Sequence, residues 1–322
     1  MRSFAAYNSR GNKMKRRLIT RSTGKWSDFI PVALVLAYFL VVVGQLIGSG
    51  VFALTGAEAK LTAVVGDEDT AKFLLMYFDF FGIWIAFFLA AGIFKNNRPM
   101  LRSLAFRRDG VNLRGAGIGL LLGFAANGFC IIMSWILGDI VLSFNGFNPA
   151  LFFAFLFVVM VQSGAEEIVD RCYLYQKLRR GYKNPWIAII GNAAAFAALH
   201  LLNPGVTAVG IAQIVVVGIL FSLFVYYFDS LWAAIMMHTG WNFCQSIFFG
   251  LPNSGIVSAY SVFRLDAASA RNGIFYNVNF GVEGSVGAVV VLVLLCVITV
   301  ILGRRRGRTE DLWKEMEVSE EV

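Results

Sequence analysis

Charge is scarce in this sequence. Charged residues make up 15% of 322, against about 25% in a soluble domain. With 58% apolar residues, that shortage excludes a soluble globular enzyme and an intrinsically disordered chain. Cysteine is also thin. Cys130, Cys172, Cys244 and Cys296 lie in or beside apolar runs, with no C-x-x-C pair among them. A secreted disulfide scaffold is therefore excluded, and the thiols read as small buried hydrophobes. No H-E-x-x-H motif, fixed-period repeat or low-complexity tract occurs. Histidine appears twice in the whole chain.

Apolar length is what the sequence has in quantity. A spanning helix needs about 20 mostly apolar residues. Eight segments qualify, over residues 29–54, 73–94, 115–140, 150–175, 185–202, 208–228, 231–250 and 284–303. The expected fold is an all-α polytopic membrane helix bundle of about eight transmembrane helices with an intramembrane polar cavity. It divides into a basic arm (1–28), a membrane domain (29–303) and a charged tail (304–322). The net charge of +8 does not point to nucleic acid, because the basic residues cluster between apolar runs as topology signals do. Eight lie in the amino-terminal arm, six between the second and third spans, four between the fourth and fifth, and five in the tail. Only Lys60, Lys72, Arg264 and Arg271 fall on the opposite side. The positive-inside rule then puts both termini in the cytoplasm of a multi-pass cell-membrane protein. Ala57-Glu58-Ala59 has a signal-peptidase pattern. The apolar run before it is longer than a signal h-region, so the first span is expected to be retained.

Small residues at four-residue spacing, Gly44 and Gly48, and Gly115, Gly119 and Gly123, predict close helix packing. Asp79 is expected to hydrogen-bond to a neighbouring helix and Asp139 to be solvated at a helix end. The external loop 251–283 could be a lid or a partner surface.

Charges inside spans are costly and point to function. The fourth span carries Gln162, Glu166 and Asp170 at i, i+4 spacing on one face, and Glu167 and Arg171 as a second pair in the favourable order. Both histidines also lie within apolar spans, His200 on the fifth and His238 on the seventh, with Asn242 one turn after His238. At 1.5 Å per residue, Glu166 and His200 lie about 21 and 22 Å above the cytoplasmic turn, and His238 about 14 Å above its own. Three helices can thus converge on one cavity. A carboxylate and an imidazole can share the activation of water. A second imidazole and a carboxamide can donate to an oxyanion. Two histidines and a glutamate are also a plausible zinc set.

Glu166-Glu167-x-x-x-Arg171, Phe196-x-x-x-His200 and His238-x-x-x-Asn242 resemble the three motifs of the CPBP family. These are the CAAX protease and bacteriocin-processing intramembrane proteases, also called ABI or type II CAAX prenyl endopeptidases. The resemblance implies an endopeptidase acting on a membrane-associated peptide or protein within the lipid bilayer. It implies that Glu166 and His200 activate the attacking water, His238 and Asn242 form the oxyanion hole, and Glu167 and Arg171 support the site. Of the zinc-dependent and metal-free mechanisms argued for the family, the metal-free one is expected, with no cofactor. The alternative is a non-catalytic scaffold or bacteriocin-immunity protein of the same fold that binds a partner. Oligomeric state is left open. Two positions depart from the family pattern: Asp170 stands where an apolar or aromatic residue is usual, and Cys172 where glycine is usual. The four-residue spacing predicts that Asp170 faces Glu166 and repels it.

Overall fold

The computed structural model describes residues 25–105 and 111–307. Most basic residues of the arm and tail, and Arg107 and Arg108, lie outside them. The fold is an all-α membrane bundle. Its helices are α1 (Ile30–Thr55), α2 (Ala57–Val65), α3 (Glu68–Phe78), α4 (Phe81–Ile93), α5 (Val111–Ile136), α6 (Pro149–Glu167), α7 (Tyr175–Gly181), α8 (Pro185–Leu199), α9 (Ala208–Phe228), α10 (Leu231–Asn242) and α11 (Val286–Arg306). Polar caps start several of them inside an apolar chain. Asn148 and Asn184, each followed by proline at the first helical position, accept the free N–H groups of α6 and α8. Thr207, Ser230 and Ser285 do the same for α9, α10 and α11.

Among the described residues, six helical stretches are long and apolar enough to cross a membrane: Ile30–Thr55, Glu68–Ile93, Asn112–Ile136, Pro149–Gly181, Ala208–Phe228 and Val286–Arg306. The eight expected spans therefore resolve into these six and two shorter helices. At 15 residues, α8 reaches about 22 Å before Pro204 and Gly205 turn the chain. The 12 residues of α10 continue into a π-helical segment, Phe243–Phe248. Large apolar side chains on α1 (Val35, Phe39, Val42, Leu46) and α11 (Val290, Leu294, Val297, Ile301) stay exposed. This is the surface a bilayer covers.

Glycine lets two helix pairs close up. A Cβ on Gly119 would overlap the Ala233 carbonyl, one on Gly123 the Met237 carbonyl, and one on Gly240 the Leu120 carbonyl, so α5 and α10 touch backbone to backbone. Gly44, Gly48 and Gly82 do the same for α1 and α4. The α5–α10 contact fixes the rotation of the helix that carries His238.

Asp79, at the α3–α4 break, accepts from Ser49 Oγ on α1 at 3.3 Å, a bond to a neighbouring helix as its isolation implied. Asp139 corrects the sequence reading. It is buried rather than solvated, with Arg271 Nε 3.7 Å from Oδ1. The segment that carries Arg271 folds back on the bundle and closes over it. Strands β1 (Leu142–Phe144) and β2 (Phe263–Leu265) pair antiparallel and tie this loop down. Lys177 and Arg180, two of the topology-setting cations, are also buried. Arg180 clasps Asp28 through Nε and Nη2, each at 2.6 Å, and Lys177 Nζ lies 3.6 Å from the same carboxylate.

Candidate active site

The fourth span does not stay α-helical where its charges lie. α6 ends at Glu167, and Ile168–Leu174 forms a π-helical turn whose seven residues are all buried. Such a turn widens the helix and re-aims side chains, and often marks a functional site. Glu167 and Arg171 meet across its start. Both side chains are fully buried, with Arg171 Nη1 donating to Glu167 Oε1 at 3.0 Å. The Arg171 guanidinium lies over the rings of Phe196 and Phe221 at 4.5 and 5.3 Å, and its Nη2 donates to the Gly218 carbonyl at 3.3 Å. Two aromatic faces and one carboxylate thus hold a cation that lipid would reject.

His238 bridges the two glutamates. Its Nδ1 lies 3.0 Å from Glu167 Oε1 and its Nε2 3.7 Å from Glu166 Oε2. A carboxylate only accepts, so Nδ1 carries a proton and Nε2 faces Glu166. Phe221 stacks on the ring at 5.4 Å. His200 caps the end of α8, and its Nδ1 lies 2.8 Å from the Phe196 carbonyl. That carbonyl also only accepts, which puts the proton on Nδ1 and leaves the Nε2 lone pair free. Gln162 Nε2 donates to Glu166 Oε1 at 2.7 Å. Asn242 Oδ1 accepts from Asn253 Nδ2 at 3.1 Å, so the donor end of its amide points the other way, 3.4 Å from Gln162 Oε1 and Ser163 Oγ.

Glu166, His200, His238 and Asn242 line one cavity of about 330 Å³. Glu167 and Arg171 lie behind it, reaching the site through His238. Asp170 lines the cavity too, on the face it shares with Gln162 and Glu166, as the four-residue spacing implied. Asn192 on α8 donates to the Asp170 carbonyl at 2.6 Å and approaches its Oδ1 at 3.5 Å, while its buried Oδ2 has no hydrogen-bond partner.

Sequence reasoning missed three contributors. Asn253, Ser254 and Glu283 come from the loop 251–283, which roofs the cavity. Glu283 is 6% exposed, and its Oε2 accepts from Ser254 N at 2.6 Å and Ser254 Oγ at 3.2 Å. Burial raises its carboxyl above the ordinary range, and the Ser254 bonds and the His200 and His238 imidazoles pull it back. The one sequence signal was a carboxylate immediately before the last apolar run.

Zinc does not fit this arrangement. Both ring nitrogens of His238 face carboxylates, Glu167 Oε1 is shared with Arg171, and no three His, Cys, Asp or Glu among the described residues are grouped to hold an ion.

Residues 148–244 match the family described as Rce1-like, type II CAAX prenyl endopeptidase. The match, over about a third of the chain, is to a family of CAAX-type intramembrane proteases, the kind that the three motifs resemble, and it covers the helices that carry all three. No curated protein and no solved structure matches the chain. The matched segment stops short of Asn253, Ser254 and Glu283.

Proposed function

We propose that this protein is an intramembrane endopeptidase that cuts a membrane-associated peptide or protein without a metal or other cofactor. Glu166 and the free Nε2 of His200 share the activation of one water. The water oxygen attacks the scissile carbonyl carbon, and its proton passes to this pair. The carbonyl oxygen becomes an oxyanion, for which Nε2–H of protonated His238 and Nδ2–H of Asn242 are the donors. Glu167 holds the Nδ1–H of His238 and Arg171 holds Glu167, so they position His238 without touching substrate. Collapse of the tetrahedral intermediate breaks the C–N bond, and the stored proton leaves with the amine. The observation that carries this reading is one buried cavity lined by a carboxylate, two imidazoles with fixed tautomers and an oriented carboxamide. The protein is proposed to sit in the cell membrane with both termini cytoplasmic, following its basic loops.

The test is peptide hydrolysis by purified protein in detergent. Glu166→Gln, His200→Ala and His238→Ala should each abolish cleavage, and double variants should lose no more than single ones, because the groups act as a unit. Asn242→Ala should keep a residue of activity, down on the order of 10²–10³-fold for one oxyanion donor. Wild-type rates in His200→Ala would refute the assignment.

A further inference from the structure

The catalytic cavity adjoins a second chamber of about 1140 Å³ between α1, α2 and α3, and Gln45, Met76 and Phe80 line both. Apart from His238, which the proposed mechanism uses in its protonated form, the ionisable groups along this path are mostly acids. Glu166, Asp170 and Glu283 line the inner cavity, and among its described lining residues there is no lysine or arginine. Glu58, Glu68 and Asp79 line the outer chamber, against the single cation Lys72. Lys72 is already paired with Glu68 and lies 3.7 Å from Glu58.

Two of the inner acids have unused capacity. Asp170 is 2% exposed and its Oδ2 has no hydrogen-bond partner. A buried carboxylate oxygen without a donor is costly unless a ligand supplies one. Glu283 is held through Oε2, which leaves Oε1 for a ligand. Glu283 also lies beyond the matched segment. The proposed hydrolysis needs neither acid.

We propose that the two chambers select a peptide with positive charge beside the scissile bond, a lysine or arginine side chain or a free α-amino group. They reject a peptide whose C-terminal carboxylate lies within a few residues of that bond. The inference rests on the endopeptidase reading and names its substrate class. An extended chain advances 3.3–3.6 Å per residue, so a carboxylate three residues away lies about 10 Å from the scissile carbonyl. That keeps it inside the acid-lined space, where like charges oppose each other. A substrate ammonium in the same place supplies the donor that Asp170 and Glu283 lack. A C-terminal CAAX tetrapeptide is accordingly a poor substrate for this chain.

The experiment uses one apolar fluorescent peptide with Lys, Gln or Glu at two adjacent central positions, and a further pair ending in a free carboxylate or an amide three residues from the centre. Binding by anisotropy and cleavage are both measured on the purified full chain in detergent at low salt. Lys peptides should bind at least about tenfold more tightly than Glu peptides, with Gln between them, and amide should beat carboxylate. Glu283→Gln and Asp170→Asn should each narrow the Lys-to-Glu ratio severalfold. If Glu283→Gln fails to fold because it frees Ser254, Asp170→Asn carries the test. Equal binding of Lys and Glu peptides, preference for the free carboxylate, binding of none of the peptides, or a ratio untouched by the folded variants would overturn the inference. A Lys preference in binding without cleavage would uphold it and refute the endopeptidase reading. Cleavage without charge preference would do the reverse.

Discussion

Replacing Glu167 by Gln removes one charge from a fully buried pair and leaves the shape nearly unchanged. Arg171 then keeps its charge with no carboxylate. It retains the Gly218 carbonyl at 3.3 Å and the faces of Phe196 and Phe221 at 4.5 and 5.3 Å. Breaking a buried pair by removing one partner costs about 3–5 kcal/mol, and cation–π contact returns about 0.5–2 kcal/mol of support that does not depend on Glu167. The glutamine oxygen can still accept from Arg171 and His238, so the loss should fall near the low end, about 3 kcal/mol. Adding Arg171→Met removes the orphaned cation, and the double variant should regain most of that stability. Activity should not follow. Without a carboxylate at Nδ1, protonated His238 loses the charge that stabilises it, and both variants should fall on the order of 10²–10⁴-fold in kcat. Stability is read by chemical denaturation in detergent micelles followed by circular dichroism, and activity by peptide cleavage. A Glu167→Gln protein within about 0.5 kcal/mol of wild type would refute the buried-pair argument. A double variant with wild-type cleavage would refute the positioning role.

Three further outcomes are expected. Gly123→Val puts a branched side chain against the Met237 carbonyl and should cost about 1–3 kcal/mol, whereas Gly117→Ala, which has open space beyond its Cα, should change stability by less than about 0.5 kcal/mol. Chelation at neutral pH should leave cleavage intact, with well under one zinc per purified chain; stoichiometric zinc lost and restored together with activity would overturn the metal-free mechanism. A reporter fused after Val322 should read cytoplasmic and one inserted in the loop 251–283 external, and a shared side would refute the proposed orientation.

Local periodicity made much of this molecule readable in advance. The Glu167–Arg171 ion pair follows from the i, i+4 rule. The packing of α5 on α10 follows from glycines spaced by four. Counting residues from each turn placed Glu166, His200 and His238 near a common depth, and they line one cavity. The length of α8 was less readable. Apolar character runs on to Leu202, while the backbone leaves the helix at His200, because Pro204 and Gly205 impose a turn that hydropathy alone does not register. Asp28 closes the basic arm 1–28, and its burial under Lys177 and Arg180 depends on a contact spanning about half the chain.

The part of the site that sequence could not supply is the part that depends on rotation and on long loops. A four-residue spacing says that two side chains share a face. It does not say which way that face turns, and the α5–α10 glycine contact is what points His238 between Glu166 and Glu167. The same limit governs Asp170. Its spacing puts it on the cavity face with Glu166, but nothing along the helix says that Asn192 of α8 meets it at its carbonyl and Oδ1 while Oδ2 is left without a donor. Glu283 and Asn253 reach the cavity because the loop 251–283 is pinned at β2, at Asp139–Arg271 and at Ser254. The proposed catalytic groups lie at motif positions, which can be read along a helix. Asp170 and Glu283 reach the cavity through a π-helical turn and a folded loop, so the charge selection proposed for it depends on geometry that no spacing spells out.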